Sequence, residues 1–415
     1  MSELYELPDG WEWKKLGDFT TIKSGKRVPK GYKLLDEKTP YPYIRVTDFS
    51  DNESINTSGL KYLTEEIYRK IKNYTITDND IYISIAGTIG KTGIIPSELN
   101  GANLTENAVK IVFDNEKYDK RYLLNFTNSI AFMKQIGIAT KTVAMPKLAI
   151  KRLKEVNIPL PPLQEQKRIV AKLDALFERI DKAIALHQQN INQADAFMES
   201  VLNEVFEELE GRYEKDYLSN FCQITSSKRV YKDDYVNEGI PFYRIKDIIL
   251  KIKGHDLKDM QYISFKAYET FNEKFGSPKK GDILITAVGA TLGYAYLVNS
   301  QDGDFYFKDG NIVWLKNISD KLVRKYILYS FNSPLFQKYI EEISKGAAQP
   351  AITIVKLKEL KIPLPPLKTQ QKTVAYLDQI SSKIEQIKTL QSKKLQSLKD
   401  LKASLLDKAF RGELL

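Results

Sequence analysis

The chain is poor in the residues that usually carry chemistry. Its 415 residues include one cysteine, Cys222, and two histidines, His187 and His255. One thiol forms no internal disulfide, and three such residues make no thiolate or imidazole zinc cluster. The lone cysteine fits a reducing compartment. No apolar run approaches the roughly 18 residues that span a bilayer. The first residues, MSELYE, lack both the positive region and the apolar region of a secretory signal. A cytoplasmic protein is expected.

Catalytic motifs are missing as well. Gly90-Lys91-Thr92 resembles the end of a phosphate-binding loop, but that loop needs glycine at position 85, where the chain has isoleucine. A glycine turn after a strand, presenting Lys91 and Thr92 outward to a partner, is the better expectation. Asp9, Glu12 and Lys14 lie too close together to converge on a nuclease metal, so this stretch reads as packing around Trp11 and Trp13. An adenine methyltransferase needs Asn, Asp or Ser before a Pro-Pro-aromatic motif, to hold a flipped base. Both Pro-Pro pairs here, Pro161-Pro162 and Pro365-Pro366, have leucine on either side. No catalytic centre and no bound cofactor are expected.

What the chain does have is positive charge and a repeat. The 63 Lys and Arg exceed the 53 Asp and Glu, for a net charge of +10. Such a balance favours polyanion partners through counterion release. IPLPPL stands at residues 158–163 and again at 362–367. The correspondence extends both ways. Tyr41 to Asp48 matches Ile240 to Asp247, Asp80-Ile81 matches Asp282-Ile283, Tyr122 matches Tyr326, and Phe206 matches Phe410. The unit is far longer than a solenoid repeat. A whole domain and its tail have been duplicated.

Within each copy, DIYISIAG and GDILITAVG read as buried strands ending at glycine, and YLLNFTNSIAFMKQI and YILYSFNSPLFQKYI as short amphipathic helices. After the prolines the period changes. Leu173, Leu176, Ile180, Met198 and Val201 follow helical spacing in the first tail. Leu377, Ile380, Ile384, Ile387, Leu398 and Leu405 do so in the second. Each tail reads as one helix of about 45 residues, roughly 65 Å long. Their apolar stripes are narrow, and a helix that long must bury one. Residues 163–210 hold 5 Lys and Arg against 10 Asp and Glu; residues 367–411 hold 10 against 4. Antiparallel pairing would bring Glu204, Glu207, Glu208 and Glu210 to Lys368 and Lys372. His187 would interrupt the seam. The expected architecture is α+β: two similar mixed domains joined by two long antiparallel helices, with an internal pseudo-twofold. The segments are residues 1–157 and 212–361 for the domains, and 158–211 and 362–415 for the proline turns and helices.

LPDGWEWKKLGDF, the two IPLPPL segments with their helical continuations QEQKRIVAKLDALFERID and KTQQKTVAYLDQISSKIE, and GAAQPAI at 346–352 together resemble specificity subunits of type I restriction–modification enzymes. The resemblance covers essentially the whole chain. It implies two target-recognition domains, each reading half of a split DNA site. It also implies helices that set the unread gap and dock two adenine-N6 methyltransferase subunits, with S-adenosylmethionine on those partners. A motor–nuclease subunit using ATP and magnesium would join for restriction; a methylation-only complex without it stays open. The first copy departs from the pattern, with GIATKTVAMP where the second has ISKGAAQP.

Recurring basic and aromatic positions are the DNA-contact candidates. Lys26, Arg27, Lys30 and Tyr32 match Lys228, Arg229, Tyr231 and Lys232. Arg45 and Thr47 match Arg244 and Lys246, and Lys141 matches Lys345, near Gln349. Arginine can grip guanine, glutamine can read adenine, and lysine mostly meets phosphate. Arg45 and Arg244 follow apolar runs and are as easily scaffold. Direct readers belong where the copies differ.

Overall fold

The computed structural model describes residues 5–137, 147–257, 259–289, 291–344 and 351–414. Two helices dominate it, Leu163–Arg212 and Leu367–Phe410. The chain divides into two compact units: residues 1–187 with 393–415, and residues 188–392. Each unit holds one mixed head and a stretch of both long helices.

The first head is built on an antiparallel sheet in the order Thr20–Ser24, Ala108–Phe113, Ile81–Ser84, Thr92–Gly93. A smaller sheet orders Lys61–Tyr62, Pro42–Ile44 and Asn103–Leu104, the last pair parallel. The Ile81–Ser84 strand is buried on both faces, which is why Ile81, Tyr82 and Ile83 follow one another without a polar residue between them. The amphipathic stretch after it splits into two helices, Lys120–Thr127 and Ile130–Gly137, with Ser129 at the break. Glu12–Lys15 pairs antiparallel with Asn157–Leu160, closing the head immediately before the prolines.

The second head repeats this order. Gln223–Ser226, Ile312–Lys316, Ile283–Thr286 and Ala295–Leu297 form the main sheet. Tyr235–Val236, Gln261–Ile263, Ile240–Tyr243 and Tyr306–Phe307 form the smaller one, again with one parallel pair. Helices Arg324–Phe331 and Pro334–Ser344 follow, and Lys215–Tyr217 pairs with Lys361–Pro363 before the second prolines.

The long helices run antiparallel. In the first unit Lys402 Nζ lies 2.9 Å from Asp181 and 4.7 Å over the Phe177 ring. In the second, Lys388 Nζ lies 2.9 Å from Asp195. As numbering rises along one helix it falls along the other. Leu173, Leu176, Ile180, Leu398 and Leu405 pack into the core of the first unit. Met198, Val201, Leu377 and Ile380 pack together in the second, and Ile384 is buried. Ile387 departs from the expected seam and is 46% exposed. It borders a cavity with Phe197, Ile380 and Ile384, so the seam is incompletely filled there. The acidic end of the first helix does meet the start of the second: Leu202, Phe206 and Leu209 share a core with Val374 and Leu377. Glu208 and Glu210 form their ion pairs with Arg212 and Lys215, their neighbours in sequence.

The far end of the second long helix belongs to the first head. Leu406, Ala409, Phe410 and Leu414 join its core, and Phe410 meets Tyr122 and Phe126 edge-on, each 5.2 Å between ring centres. Tyr5 donates its hydroxyl to the Phe410 carbonyl at 2.7 Å, and the Arg411 guanidinium stacks 4.7 Å over the Tyr5 ring. Burial pushes the Tyr5 hydroxyl up to about 12.

Candidate nucleic-acid interface

In each head, a basic loop leaves the edge strand of the main sheet. The first begins at Gly25, packed so tightly under Leu104 and Thr105 that a Cβ there would lie 2.1 Å from the Thr105 carbonyl. This close approach anchors the loop: Lys26 donates its N–H to the Leu104 carbonyl at 2.8 Å, and its own carbonyl accepts the Tyr43 hydroxyl at 2.9 Å. With the backbone held, the side chains of Lys26, Arg27 and Lys30 are exposed. Arg27 meets Glu106 at 2.5 Å, and Lys26 Nζ lies 5.5 Å over the Tyr74 ring. Tyr32 is turned inward instead. Its hydroxyl meets both Glu66 and Lys70, and its ring lies 4.3 Å beneath the Lys70 ammonium.

The second loop is similarly anchored, with the Lys228 N–H donating to the Tyr306 hydroxyl at 3.1 Å. Lys228, Arg229, Tyr231 and Lys232 are all exposed. Lys228 Nζ lies 5.1 Å over Phe275, and the Arg229 guanidinium lies 5.8 Å from the Tyr231 ring. Tyr231 is 65% exposed, so here the ring and the cation both face solvent. Such cation–aromatic surfaces suit a phosphate backbone and base faces alike.

The two recurring arginines sit elsewhere, in the folding machinery. Arg45 grips the buried Asp48 carboxylate with two bonds, at 3.0 and 2.6 Å, and donates to the Gly59 carbonyl at 2.7 Å. Arg244 does the same to the buried Asp247, at 2.8 and 3.1 Å, and to the Asp259 carbonyl at 2.7 Å. In both, the same aspartate accepts the arginine's own backbone N–H. The pair locks a turn after the strand, which explains its recurrence without any ligand. Thr47 and Lys246, beside them, are exposed.

The glycine turn corrects another expectation. Thr92 is 3% exposed and bonds Asn128 and Thr127 at 2.9 and 3.1 Å, so it cannot present itself to DNA. Strand pairing with Ile83 turns it inward. Lys91 is partly buried and meets Asp51 at 2.8 Å, which holds the Asp51 carboxyl below its usual range. Lys141, Lys345 and Gln349 lie outside the described residues.

Two further features bear on chemistry. Burial pushes the Cys222 thiol up to about 12, far from a reactive thiolate. Among the described residues, no group of three or more His, Cys, Asp and Glu could hold a metal ion, and no helix is long and apolar enough to cross a membrane. Sequence reasoning missed the aromatic surroundings of the second loop. Phe275 lies well away in sequence, at the end of the helix Phe265–Phe275, and only the fold brings it under Lys228.

The family model for the type I restriction modification DNA specificity domain matches twice, over residues 8–195 and 211–396. The chain belongs to this family. Each match takes in one head and most of the long helix that follows it. A putative type I restriction enzyme specificity subunit of Haemophilus influenzae is 27% identical over 384 residues, covering 89% of this chain and 88% of its own length. The EcoBI specificity subunit of Escherichia coli is 25% identical over 437 residues, covering 99% and 88%. A chain solved in work on complex assembly and conformational transition of the type I R-M system superposes with a TM-score of 0.71 at 24% identity, covering 99% of this chain and 100% of that one. The specificity-subunit fold thus accounts for the whole chain, heads and helices together.

Proposed function

We propose that this type I specificity subunit reads a bipartite DNA site, one half with each head, and carries out no reaction itself. The helix pair fixes the unread gap and docks two adenine-N6 methyltransferase subunits. Those partners bind S-adenosylmethionine, and restriction subunits bring ATP and magnesium. The observation that carries this reading is the duplication at the basic loop. Two separately folded heads each present exposed cations from the same edge of the same sheet. The cations position the heads on phosphate, and base discrimination falls to neighbouring surfaces where the copies differ.

Mapping methylated adenines across a host genome, with and without the gene, tests this. The expected result is a set of sites that disappears with the gene and shares two short sequences at a fixed separation. Replacing residues 1–157 with the first head of another specificity subunit should change one of the two sequences and keep the other. A single continuous site, or a change in both halves at once, would overturn the reading.

A further inference from the structure

Both units contain the same buried junction, made by a glutamine. Gln166 is 1% exposed. Its carbonyl oxygen accepts the backbone N–H of Asp119 at 2.9 Å, and its amide donates to the Pro161 carbonyl at 2.9 Å. Tyr122, one turn along the helix that Asp119 caps, donates its hydroxyl to the Pro159 carbonyl at 2.7 Å. In the second unit Gln370 is also 1% exposed. It accepts the Val323 N–H at 2.9 Å and donates to the carbonyls of Pro365 at 2.9 Å and Lys321 at 3.0 Å. Tyr326 donates to the Pro363 carbonyl at 3.0 Å.

The contact set repeats residue for residue. Gln166 and Gln370, Tyr122 and Tyr326, Pro161 and Pro365, Pro159 and Pro363 each stand at the same spacing in the two copies. Some of their neighbours are not kept. Asp119 is replaced by Val323 and Glu165 by Thr369. What persists is chemistry that a primary amide alone supplies, with one acceptor and one donor group on a single short arm. The prolines leave carbonyls ahead of the long helix without helical partners, and the head helix opens on an unsatisfied N–H. One side chain closes both. It thereby joins the proline turn, the head helix and the first turn of the long helix, and the tyrosine ties in the closing strand of the head.

We infer that Gln166 and Gln370 are positioning residues for gap length, setting the angle at which each head leaves its long helix; this rests on the bipartite reading above. Helix length alone cannot discriminate a gap if the heads pivot on it. One base pair more or less moves a half-site by about 3.4 Å and turns it by about a tenth of a helical turn. A head pinned by a buried three-way junction resists that change, and a loosened one follows it.

The test is methylome mapping in a host carrying the wild-type gene, Gln166→Leu, Gln370→Leu or both. Leucine keeps the volume and removes the two bonds of Gln166 or the three of Gln370. With the wild type, methylation should be confined to one gap length; if it is not, the bipartite reading itself fails. With the variants, methylation at sites whose gap is one base pair longer or shorter should rise about tenfold, the order of one mismatched pair's worth of discrimination. A uniform loss of methylation with the gap preference unchanged would overturn the inference, because a merely structural role predicts that. If leucine abolishes methylation, Tyr122→Phe and Tyr326→Phe, each removing one bond of the same junction, carry the same test and the same two outcomes.

Discussion

The two heads keep their joints and exchange their fillings. The arginine–aspartate turn locks and the glutamine junctions are the same in both. The central sheets are not. In the first, Tyr82 stands across from Gly93, where any Cβ would come within 2.2 Å of the tyrosine hydroxyl. In the second, the matching pair is Leu284 and Tyr296, with the ring moved to the opposite strand. In the first, Asp80 is neutralised by Lys110 at 3.0 Å; in the second, Asp282 accepts the Trp314 indole N–H at 2.9 Å instead. The lesson is that total volume and polar satisfaction are constrained, while the side chains that supply them are free to differ. That freedom lets the two copies diverge in sequence without losing their geometry.

This comparison can be broken most severely at the seam. Leu173 and Leu377 are both fully buried against the other long helix and head. Leu173→Ala and Leu377→Ala should each cost about 3–4 kcal/mol, read as the shift in urea unfolding. Equal losses would show that both joints are packed alike; a loss in one alone would show that the duplication has decayed there.

The turn locks come next. Arg45→Ala and Arg244→Ala each leave a buried carboxylate without its cation and should cost about 3 kcal/mol. DNA affinity measured below the lowered unfolding temperature should stay within about threefold of wild type, in keeping with loss of a structural pair rather than a base contact. A large loss of affinity with stability intact would reverse the assignment.

The smallest effects sharpen the contrast between the two sheets. Asp80→Asn strands the Lys110 ammonium and should cost about 2 kcal/mol. Asp282→Asn should cost under about 1 kcal/mol, since an amide oxygen can still accept from Trp314 and the Lys279 N–H. Burial raises the Asp282 carboxyl above its usual value. The folded state therefore holds that proton more tightly than the unfolded chain. The contribution of Asp282 to stability grows as pH falls from neutral towards about 4, and is lost as pH rises through the raised pKa. Asp282→Asn should abolish that component of the unfolding curve measured between those limits.

The architecture was legible because it was written twice. The prolines, the change of period and the opposite charges of the tails led to two heads and an antiparallel helix pair. The register of the seam was legible at every named position except Ile387, which borders a cavity beside Phe197 and Ile384 that no sequence pattern reveals. The basic loops were legible as exposed cations. Arg45 and Thr92 were not separable from them by residue type, because an arginine bound to aspartate and one bound to guanine look alike until the aspartate is placed. Gln166 and Gln370 were in plain view as a repeated position. Their meaning depends on backbone groups of Asp119 and Val323, far away in sequence, and no local pattern carries that.

The clasp between Tyr5 and Phe410 imposes an order on folding. The second unit draws on one unbroken stretch, residues 188–392, whereas the first needs residues 393–415 to complete its core. On the ribosome, the half that emerges first therefore waits, with the seat for Phe410 unfilled, until the other half has already been made. Long-range closure of this kind is slow and leaves apolar surface uncovered meanwhile. The head translated first is the one finished last.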